Sequence, residues 1–447
     1  MPRLSIVKHQ SSFDQLSSDQ LSGAHRGLCV VLVAACLAVG CGSSGASADG
    51  GADAGADAAA ATGIPSPALA VISSDYAVTS VSLYNPATGK LIDGCVKSGV
   101  TSPTLVMPLS GDITLPTQAQ EGSQLVLIDG KSAVLTFVNP ASCAVTAQLS
   151  VSTGGFVAHP HDVVTLSSTK AYVTRYETNA NATPDPADFD DGDDVLIVDP
   201  TLLTVTGRIA LSAFATPSAT GVTTQARPDR AVLAGGLVYV TLDSISADFT
   251  ATGPGRVVVI DPTTDAVTGT IDLPNAKDCS GLTYLDSQKK LYVACGGAYG
   301  EASQLDQSAL VEIDLSGPTP VVARMVPAGT LGQSPINFFY AAVYNDVAFV
   351  GTQGAFPDPT TGSAGSDDAF YAVALASGVS AKLASGAAGD LGTAVVDPTT
   401  RKVFLPDASQ KVPLVHVYDL SAAAPAALLG FEPNPSDHLP PRAVAWY

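Results

Sequence analysis

The hydrophobic pattern of the chain is that of short strands joined by tight turns, and it is clearest in residues 256–274, RVVVIDPTTDAVTGTIDLP. An apolar run ends at an Asp-Pro turn, and a second run with alternating apolar and polar residues follows the turn. A period of two on both sides of a turn rich in Asp, Pro and Thr is typical of paired antiparallel strands. The segment therefore predicts two neighbouring strands of a small sheet.

The same pattern returns seven times along the chain. Each unit holds an inner strand, an aromatic-containing strand, a strand ending near Ile-Asp-Pro and a short last strand. The units cover residues 71–92, 124–149, 161–211, 228–273, 281–326, 339–383 and 392–431. Four strands in a period of roughly 40 to 50 residues are typical of the blades of a β-propeller.

Three strand sequences carry a resemblance to a known family. They are KAYVTR at residues 170–175, LVYVTL at residues 237–242 and KLYVAC at residues 290–295, each followed by a strand similar to V-x-V-I-D-P. These phrases resemble the YVTN family of β-propeller repeats. The resemblance implies an all-β, seven-bladed propeller over residues 68–447 and implies little about function.

The two ends of this region are expected to meet. The first unit lacks an inner strand before Leu69, and the C-terminal residues 442–447, RAVAWY, read like the inner strand at residues 230–232. We therefore expect the C-terminal strand to complete the first blade. Such pairing closes the ring and leaves no exposed sheet edge at the seam.

Residues 1–40 are predicted to be a targeting segment that is not part of the fold. Arg26 precedes an apolar run, residues 28–40, that is short for a membrane-spanning helix. The run ends in Ala-Val-Gly-Cys, which resembles the lipobox of bacterial lipoproteins. The resemblance implies that Cys41 receives a lipid, although Cys36 fits the pattern as well.

Residues 41–67 are mostly Gly, Ala, Ser and Asp and have no apolar period, so they are predicted to be a flexible tether. The lipoprotein resemblance implies a protein anchored to a membrane of the cell envelope, facing the periplasm or the cell surface. The formal net charge is −20, from 21 Lys and Arg against 41 Asp and Glu. We therefore expect no nucleic-acid partner, because phosphate binding needs a basic face.

Four cysteines follow the targeting segment, and an even number in an oxidising compartment suggests disulfides. Cys279 and Cys295 lie at equal distances from the centre of a predicted hairpin turn, so we expect them to be bonded across adjacent strands. Cys95 and Cys143 remain by elimination. The predicted register, however, places them on opposite faces of the ring, which argues against a bond between them.

Within each predicted blade, the strands alternate in direction from the channel outward. The starts of the inner strands and the loops between the second and third strands therefore lie on the same face of the ring. The long insertions all belong to that loop class, at residues 177–193, 244–255, 297–307 and 353–366. Since long loops on a rigid scaffold often carry function, this face is where we expect a site.

Polar residues at the starts of the inner strands define the predicted site. They are His159, His161, Asp162, Asp229, Arg230 and Arg442. At the mouth of the channel this mixture would bind a small anion or polar ligand. The alternative is that the groups satisfy one another and the strand ends. Two histidines separated by one residue also suit a metal, but the spacing indicates no third ligand.

The loop at residues 185–194, DPADFDDGDD, is a second candidate. Carboxylates at Asp188, Asp190, Asp191 and Asp193 are hard oxygen ligands of the kind that Ca²⁺ prefers. The order of residues does not match an EF-hand, and a solvated acidic loop is the alternative interpretation.

The sequence contains no nucleophile elbow, phosphate loop or dinucleotide motif. We therefore expect a lipid-anchored, non-enzymatic propeller without a cofactor, apart from Ca²⁺ at the acidic loop. Its binding face would serve a small ligand, a glycan or another envelope protein. The alternative hypothesis is a metal-dependent hydrolase similar to propeller lactonases, with a site around His161, Asp162 and Asp229.

Overall fold

The computed structural model describes residues 63–447 except 101–103, 121, 123, 300, 333, 338–340, 361, 410–412 and 423. The predicted targeting segment, Cys36, Cys41 and most of the predicted tether lie outside the described residues. The described strands form seven four-stranded antiparallel sheets arranged in a ring, as predicted. Within the described residues, no helix is long and apolar enough to cross a membrane.

The strands are numbered in chain order, and each blade is given from its inner to its outer strand. Blade 1 is β28 (Pro441–Trp446), β1 (Leu69–Ser74), β2 (Thr79–Tyr84) and β3 (Leu91–Lys97); blade 2 is β4 (Ile113–Thr114), β5 (Leu125–Asp129), β6 (Val134–Asn139) and β7 (Ala144–Ser150); blade 3 is β8 (Pro160–Ser167), β9 (Lys170–Thr178), β10 (Gly192–Asp199) and β11 (Thr204–Ala210); blade 4 is β12 (Pro228–Ala234), β13 (Leu237–Leu242), β14 (Pro254–Asp261) and β15 (Ala266–Lys277). Blade 5 is β16 (Cys279–Leu285), β17 (Lys290–Gly296), β18 (Ser308–Asp314) and β19 (Val321–Pro327); blade 6 is β20 (Ala342–Tyr344), β21 (Val347–Thr352), β22 (Asp368–Ala374) and β23 (Ser380–Gly386); blade 7 is β24 (Val395–Asp397), β25 (Lys402–Asp407), β26 (Leu414–Asp419) and β27 (Ala426–Ala427). Short helical segments lie between strands: α1 (Gln304–Gln307) and 3-10 turns at Pro186–Asp188, Ser212–Phe214 and Ala328–Thr330.

The C-terminal strand closes the ring, as predicted. β28 pairs antiparallel with β1, with Val444 opposite Val71. The Tyr447 backbone N–H donates to the Ala68 carbonyl at 3.1 Å, and the Trp446 indole N–H donates to the Val396 carbonyl at 2.9 Å. The last strand of the chain therefore joins blade 1 to blade 7.

Turns that begin with Asp-Pro or Asn-Pro stop the third strand of several blades. In each, the first side chain accepts the backbone N–H two residues on, as from Thr201 to Asp199 at 2.8 Å and from Thr263 to Asp261 at 2.8 Å. The fifth residue has a positive φ, 55° at Leu203 and 54° at Asp265. This Asx-type turn explains why the Asp-Pro pattern predicted strand ends.

The apolar core lies between blades. Seven clusters of buried residues fill the seven spaces between neighbouring sheets. Because the second strand of a blade is covered by the neighbouring blades on both faces, β1 and β5 are buried at every residue, whereas the outer strand β11 is largely exposed. Continuous apolar runs thus mark the second strands, and alternation marks the outer ones.

The predicted bond between Cys279 and Cys295 is confirmed. The two residues lie opposite each other in the β16–β17 pair, with an S–S distance of 2.07 Å.

The argument against a bond between Cys95 and Cys143 was wrong. Their sulfur atoms are bonded at 2.09 Å and join blade 1 to blade 2. The cause is a bulge in β3: Val81 pairs with Val96 and Leu83 with Ile92, so the three residues between Ile92 and Val96 lie opposite one residue of β2. The bulge places Cys95 nearer the turn between β2 and β3 than a regular register does.

The segment before β1 packs on the face that carries the short turns. Ile64 is buried, and the Gly63 N–H donates to the carbonyl of Ala141, in the β6–β7 turn, at 2.7 Å. The Ser66 hydroxyl donates to the Tyr447 carbonyl at 2.8 Å. Residues 63–67, which composition assigned to the tether, are therefore in contact with the propeller.

Candidate functional site

The long loops connect the second and third strands of blades 3 to 6, as predicted. They join β9 to β10, β13 to β14, β17 to β18 and β21 to β22. These loops share a face of the ring with the starts of the inner strands, because strands alternate in direction within each blade. This face is called the loop face below, and the opposite one the short-turn face.

Two histidines meet at the loop face, one on each side of the start of β8. His159 has a φ of 51°, and the turn at Pro160 brings its ring against that of His161. His159 Nδ1 lies 2.8 Å from His161 Nε2. The other nitrogen of each ring lies beside a carboxylate: His159 Nε2 is 3.1 Å from Asp112 Oδ2, and His161 Nδ1 is 3.0 Å from Asp229 Oδ1.

Asp229 is the buried centre of this group. Its Oδ2 accepts the Ser280 hydroxyl at 2.6 Å, and Arg230 Nε lies 3.3 Å from its Oδ1. Burial alone would raise the pKa of Asp229, but His161 and Arg230, with the Ser280 hydrogen bond, lower it below its ordinary value. The Arg230 guanidinium also donates to the His161 carbonyl at 3.0 Å. The structure therefore brings together four of the predicted residues, in blades 3 and 4.

Asp162 has a different position from the one predicted. It is fully buried, and its carboxylate accepts three backbone N–H groups, from Thr117 at 3.0 Å, Val163 at 2.8 Å and Ala231 at 2.9 Å. These donors belong to blades 2, 3 and 4. Asp162 thus links three inner strands and presents no free oxygen to the channel.

Arg442 lies apart from the histidines. Its guanidinium donates to the carbonyls of Ser74 and Gly389, both at 3.1 Å, and lies over the ring of Tyr76. These contacts belong to the seam between blades 1 and 7.

An aromatic column extends the site toward the long loops. The rings of His161 and Tyr176 are stacked, with centroids 4.3 Å apart and an interplanar angle of 8°. Arg227 lies between Tyr176 and Phe249, with its guanidinium carbon 4.9 Å and 4.0 Å from the two ring centroids. Arg227 Nη1 also donates to Glu177 Oε1 at 3.1 Å. The sequence analysis did not identify this column, because its members come from three separate segments.

Two further carboxyl groups are buried near Asp229. Burial and the negative charge of Asp229 raise the pKa of Asp278 to about 7. Burial, Asp229 and Asp278 raise the pKa of Asp243 well above its ordinary value, although a hydrogen bond from Tyr176 opposes the shift. These two groups therefore favour the neutral form, and neither was predicted. Asp278 lies just before β16 and has a positive φ of 51°. The sequence pattern does not show this backbone conformation.

The acidic loop uses its carboxylates for protein contacts. Asp188 and Asp190 both accept from Thr183; Asp191 pairs with Arg208 at 2.6 Å. Asp193 accepts the N–H groups of Ala226 and Arg227. Across the described parts of the chain, no group of three or more His, Cys, Asp or Glu side chains is placed to hold a metal ion. Calcium binding by this loop stays a prediction.

A cavity of about 1170 Å³ occupies the channel on the short-turn face. It is called the channel cavity below. The inner strands of several blades line it, together with turn residues such as Asn345, Thr399 and Asn85. Arg230 and Trp446 also line it. Arg230 therefore lies between the histidine cluster on the loop face and the channel cavity.

Comparisons with known proteins identify the fold. No protein-family model matches the sequence, and a search of curated proteins finds no match. Among solved structures, a periplasmic gluconolactonase from Pseudomonas aeruginosa is similar with a TM-score of 0.51 at 13% identity, covering 85% of this chain and 98% of that one. A putative 6-phosphogluconolactonase from Bacteroides fragilis gives a TM-score of 0.51 at 9% identity, covering 85% and 98%. At such identities the likeness shows the β-propeller fold alone.

Proposed function

We propose that this protein is a lipid-anchored propeller of the cell envelope that binds a small organic ligand in the channel cavity. The observation that carries the proposal is the cavity itself. Its volume of about 1170 Å³ is slightly above the usual range for small-molecule sites, roughly 300 to 1,000 Å³. The walls are inner strands fixed by neighbouring blades, so the cavity is preformed.

The lining indicates the class of ligand. Apolar residues such as Val395, Ala443 and Ala445 line much of the wall, and Arg230 supplies a cation at its inner end. Asp397, a carboxylate of the lining, accepts N–H and hydroxyl groups of its own turn. An amphiphile with an apolar body and an anionic end group directed at Arg230 fits this arrangement.

The position of the N-terminal segment supports a role at a membrane. Residues 63–67 lie on the short-turn face, beside the mouth of the cavity, which Pro67 lines. A flexible tether of about 20 residues has a root-mean-square length of roughly 25 Å. If Cys41 carries the lipid, the short-turn face is held near the bilayer and the loop face is free to meet an envelope partner.

Trp446 offers a direct test, because it is the only tryptophan in the chain and it lines the cavity. We expect dodecanoate, used as the probe, to change Trp446 emission in a saturable way. Arg230→Gln should weaken this binding by about tenfold, since a charge-assisted hydrogen bond contributes about 1.5 kcal/mol or more. Ala445→Leu, which narrows the cavity, should weaken it too.

The matched control is Arg442→Gln, which removes an arginine from the same ring without touching the lining. It should bind dodecanoate as the parent does. Failure of dodecanoate and of 8-anilinonaphthalene-1-sulfonate to give saturable emission changes, or equal affinities for parent and Arg230→Gln, would contradict the proposal.

A hydrolase is the second candidate, and the pKa of about 7 for Asp278 is the observation in its favour. A carboxyl group that titrates near neutral pH suits proton transfer. The fold likeness to gluconolactonases suggests glucono-δ-lactone as the first substrate to assay. Ring opening faster than the uncatalysed rate, and lost in Asp278→Asn, would favour this candidate over the binding role.

A further inference from the structure

We propose that His159 and His161 form a binding site for one divalent first-row transition-metal ion at the loop face. The ring nitrogens that face each other, His159 Nδ1 and His161 Nε2, are 2.8 Å apart. This site is distinct from the channel cavity, and the inference does not depend on the ligand proposed there.

The proton count of the two rings is the first argument. A neutral imidazole carries one N–H, and an ionised carboxylate only accepts hydrogen bonds. His159 Nε2 lies 3.1 Å from Asp112 Oδ2, and His161 Nδ1 lies 3.0 Å from Asp229 Oδ1. When the outer nitrogen of each ring carries the proton, both facing nitrogens direct lone pairs into the space between the rings. A metal ion placed there would replace the N–H···N hydrogen bond that otherwise joins the two rings.

The carboxylates are the second argument. Histidines that bind metals usually donate their other ring N–H to a carboxylate or carbonyl, which fixes the tautomer and strengthens the ligand. Both histidines here have such a partner: Asp112 for His159 and the buried Asp229 for His161. His161 is held further by its stacking on Tyr176. The outer contacts that prepare two imidazoles for a metal are therefore in place.

The geometry requires only a small adjustment. Metal–imidazole bonds of 2.0–2.1 Å at a tetrahedral angle separate the two nitrogens by about 3.3 Å, roughly half an ångström more than observed. His159 is partly exposed, with 23% of its side chain accessible, and it can supply this shift. Gly130 packs against the contact between His159 and Asp112. A Cβ on Gly130 would lie 2.9 Å from His159 Nε2 and 2.7 Å from Asp112 Oδ2.

The charges and ligand types indicate which ions fit. Asp112 and Asp229 supply two negative charges, and Arg230 offsets one of them at Asp229. Imidazole suits Zn²⁺, Ni²⁺ and Cu²⁺, and Cu²⁺ binds most tightly in the general order of affinities. Because no third His, Cys, Asp or Glu among the described residues completes the site, water or an external ligand would fill the remaining positions.

The test is a titration of the purified, EDTA-stripped chain with Cu²⁺ or Zn²⁺ against a glycine competitor, followed by electron paramagnetic resonance of the Cu²⁺ form. We expect one ion more per parent chain than per His159→Asn chain, and hyperfine coupling to two imidazole nitrogens. Asparagine tolerates the positive φ of His159, so this variant keeps the backbone. The difference between the two chains also removes any contribution from His and Cys in residues 1–62. Asp112→Asn should weaken binding by about 10- to 100-fold.

The controls are His416→Asn and His438→Asn. Each of these histidines faces one carboxylate, Asp407 and Glu432 respectively, and neither variant should alter the uptake of metal. His161→Gln removes the second ligand and should also lose the extra ion. If this variant does not fold, the coupling of the parent's Cu²⁺ to two imidazole nitrogens still tests whether both histidines bind the ion. Equal uptake by parent and His159→Asn, or a Cu²⁺ spectrum without two imidazole nitrogens, would overturn the proposal and leave a hydrogen bond between the two rings as the role of this contact.

Discussion

At the scale of single residues, the buried acids around Asp229 carry the clearest physical consequence. Asp278 and Asp243 are both buried, and each has a raised pKa for which burial is the largest cause. No cation opposes the rise in the pKa of Asp278, and Arg227 opposes the rise in that of Asp243 only in part. Ionisation of these groups therefore opposes folding.

The first prediction concerns the pH dependence that Asp278 creates. Its pKa is about 7 in the folded chain against an ordinary value of 3.8, so between these values the folded state holds a proton that the unfolded state has lost. Stability therefore falls as the pH rises through this window, by about 1.4 kcal/mol per pH unit from this group. Asp278→Asn cannot ionise, and asparagine fits the φ of 51°. The urea midpoint of Asp278→Asn should equal that of the parent near pH 4 and exceed it at pH 8.

Asp248→Asn is the control for that comparison. Asp248 is exposed, and hydrogen bonds from Ser246 and Thr250 lower its pKa, so its replacement should give no gain at pH 8. An Asp278→Asn midpoint that follows the parent at both pH values would show that the carboxyl group is ionised in the folded chain without cost.

The residues of the site could be predicted only in part, for a physical reason. Strand starts are readable from the sequence, and four residues chosen for that reason, His159, His161, Asp229 and Arg230, lie together in the structure. The direction of a side chain at a strand start depends on neighbouring blades, which is why Asp162 was assigned to the channel although it is buried. The aromatic column of Tyr176 depends on contacts between segments far apart in sequence and left no local pattern.

At the scale of strands and turns, regular elements were predictable and irregular ones were not. Asp-Pro turns and apolar alternation gave the strand order because each is a local property of the chain. The bulge between Ile92 and Val96 has no such local marker beyond Gly94, whose φ is 59°. This bulge alters the position of Cys95, which is bonded to Cys143. A regular register ignores the bulge and therefore argued against that bond.

The second prediction ranks the two disulfides. The Cys95–Cys143 bond closes a loop with a sequence separation of 48, and the Cys279–Cys295 bond one of 16. Chain entropy then assigns about 4 kcal/mol to the first bond and about 3 kcal/mol to the second. Replacing both cysteines of a pair by alanine should therefore lower the urea midpoint more for Cys95 and Cys143. The two double variants serve as controls for each other, and the reverse order would contradict an entropic origin.

At the scale of the whole molecule, closure of the ring joins the ends of the chain and forms the cavity. Seven apolar clusters between blades make a continuous core, so each blade is stabilised by two neighbours. Repetition in the sequence predicted this architecture, since every unit repeats the same pattern. The channel cavity was not predicted. Its walls come from several blades at once, and it opens on the face that carries the short turns.

The third prediction tests whether the seam holds the ring together. Val444 is 1% exposed, in the cluster between blades 7 and 1, and Val444→Asp would place an unpaired charge there. Such a change costs several kcal/mol and should detach β28, exposing the edge of β1. We expect a red shift of Trp446 emission and oligomers in size-exclusion chromatography. The same substitution at Leu429, which is 95% exposed in blade 7, should leave both properties unchanged. If Val444→Asp kept parental emission and a single monomeric peak, the C-terminal strand would not be what closes the ring.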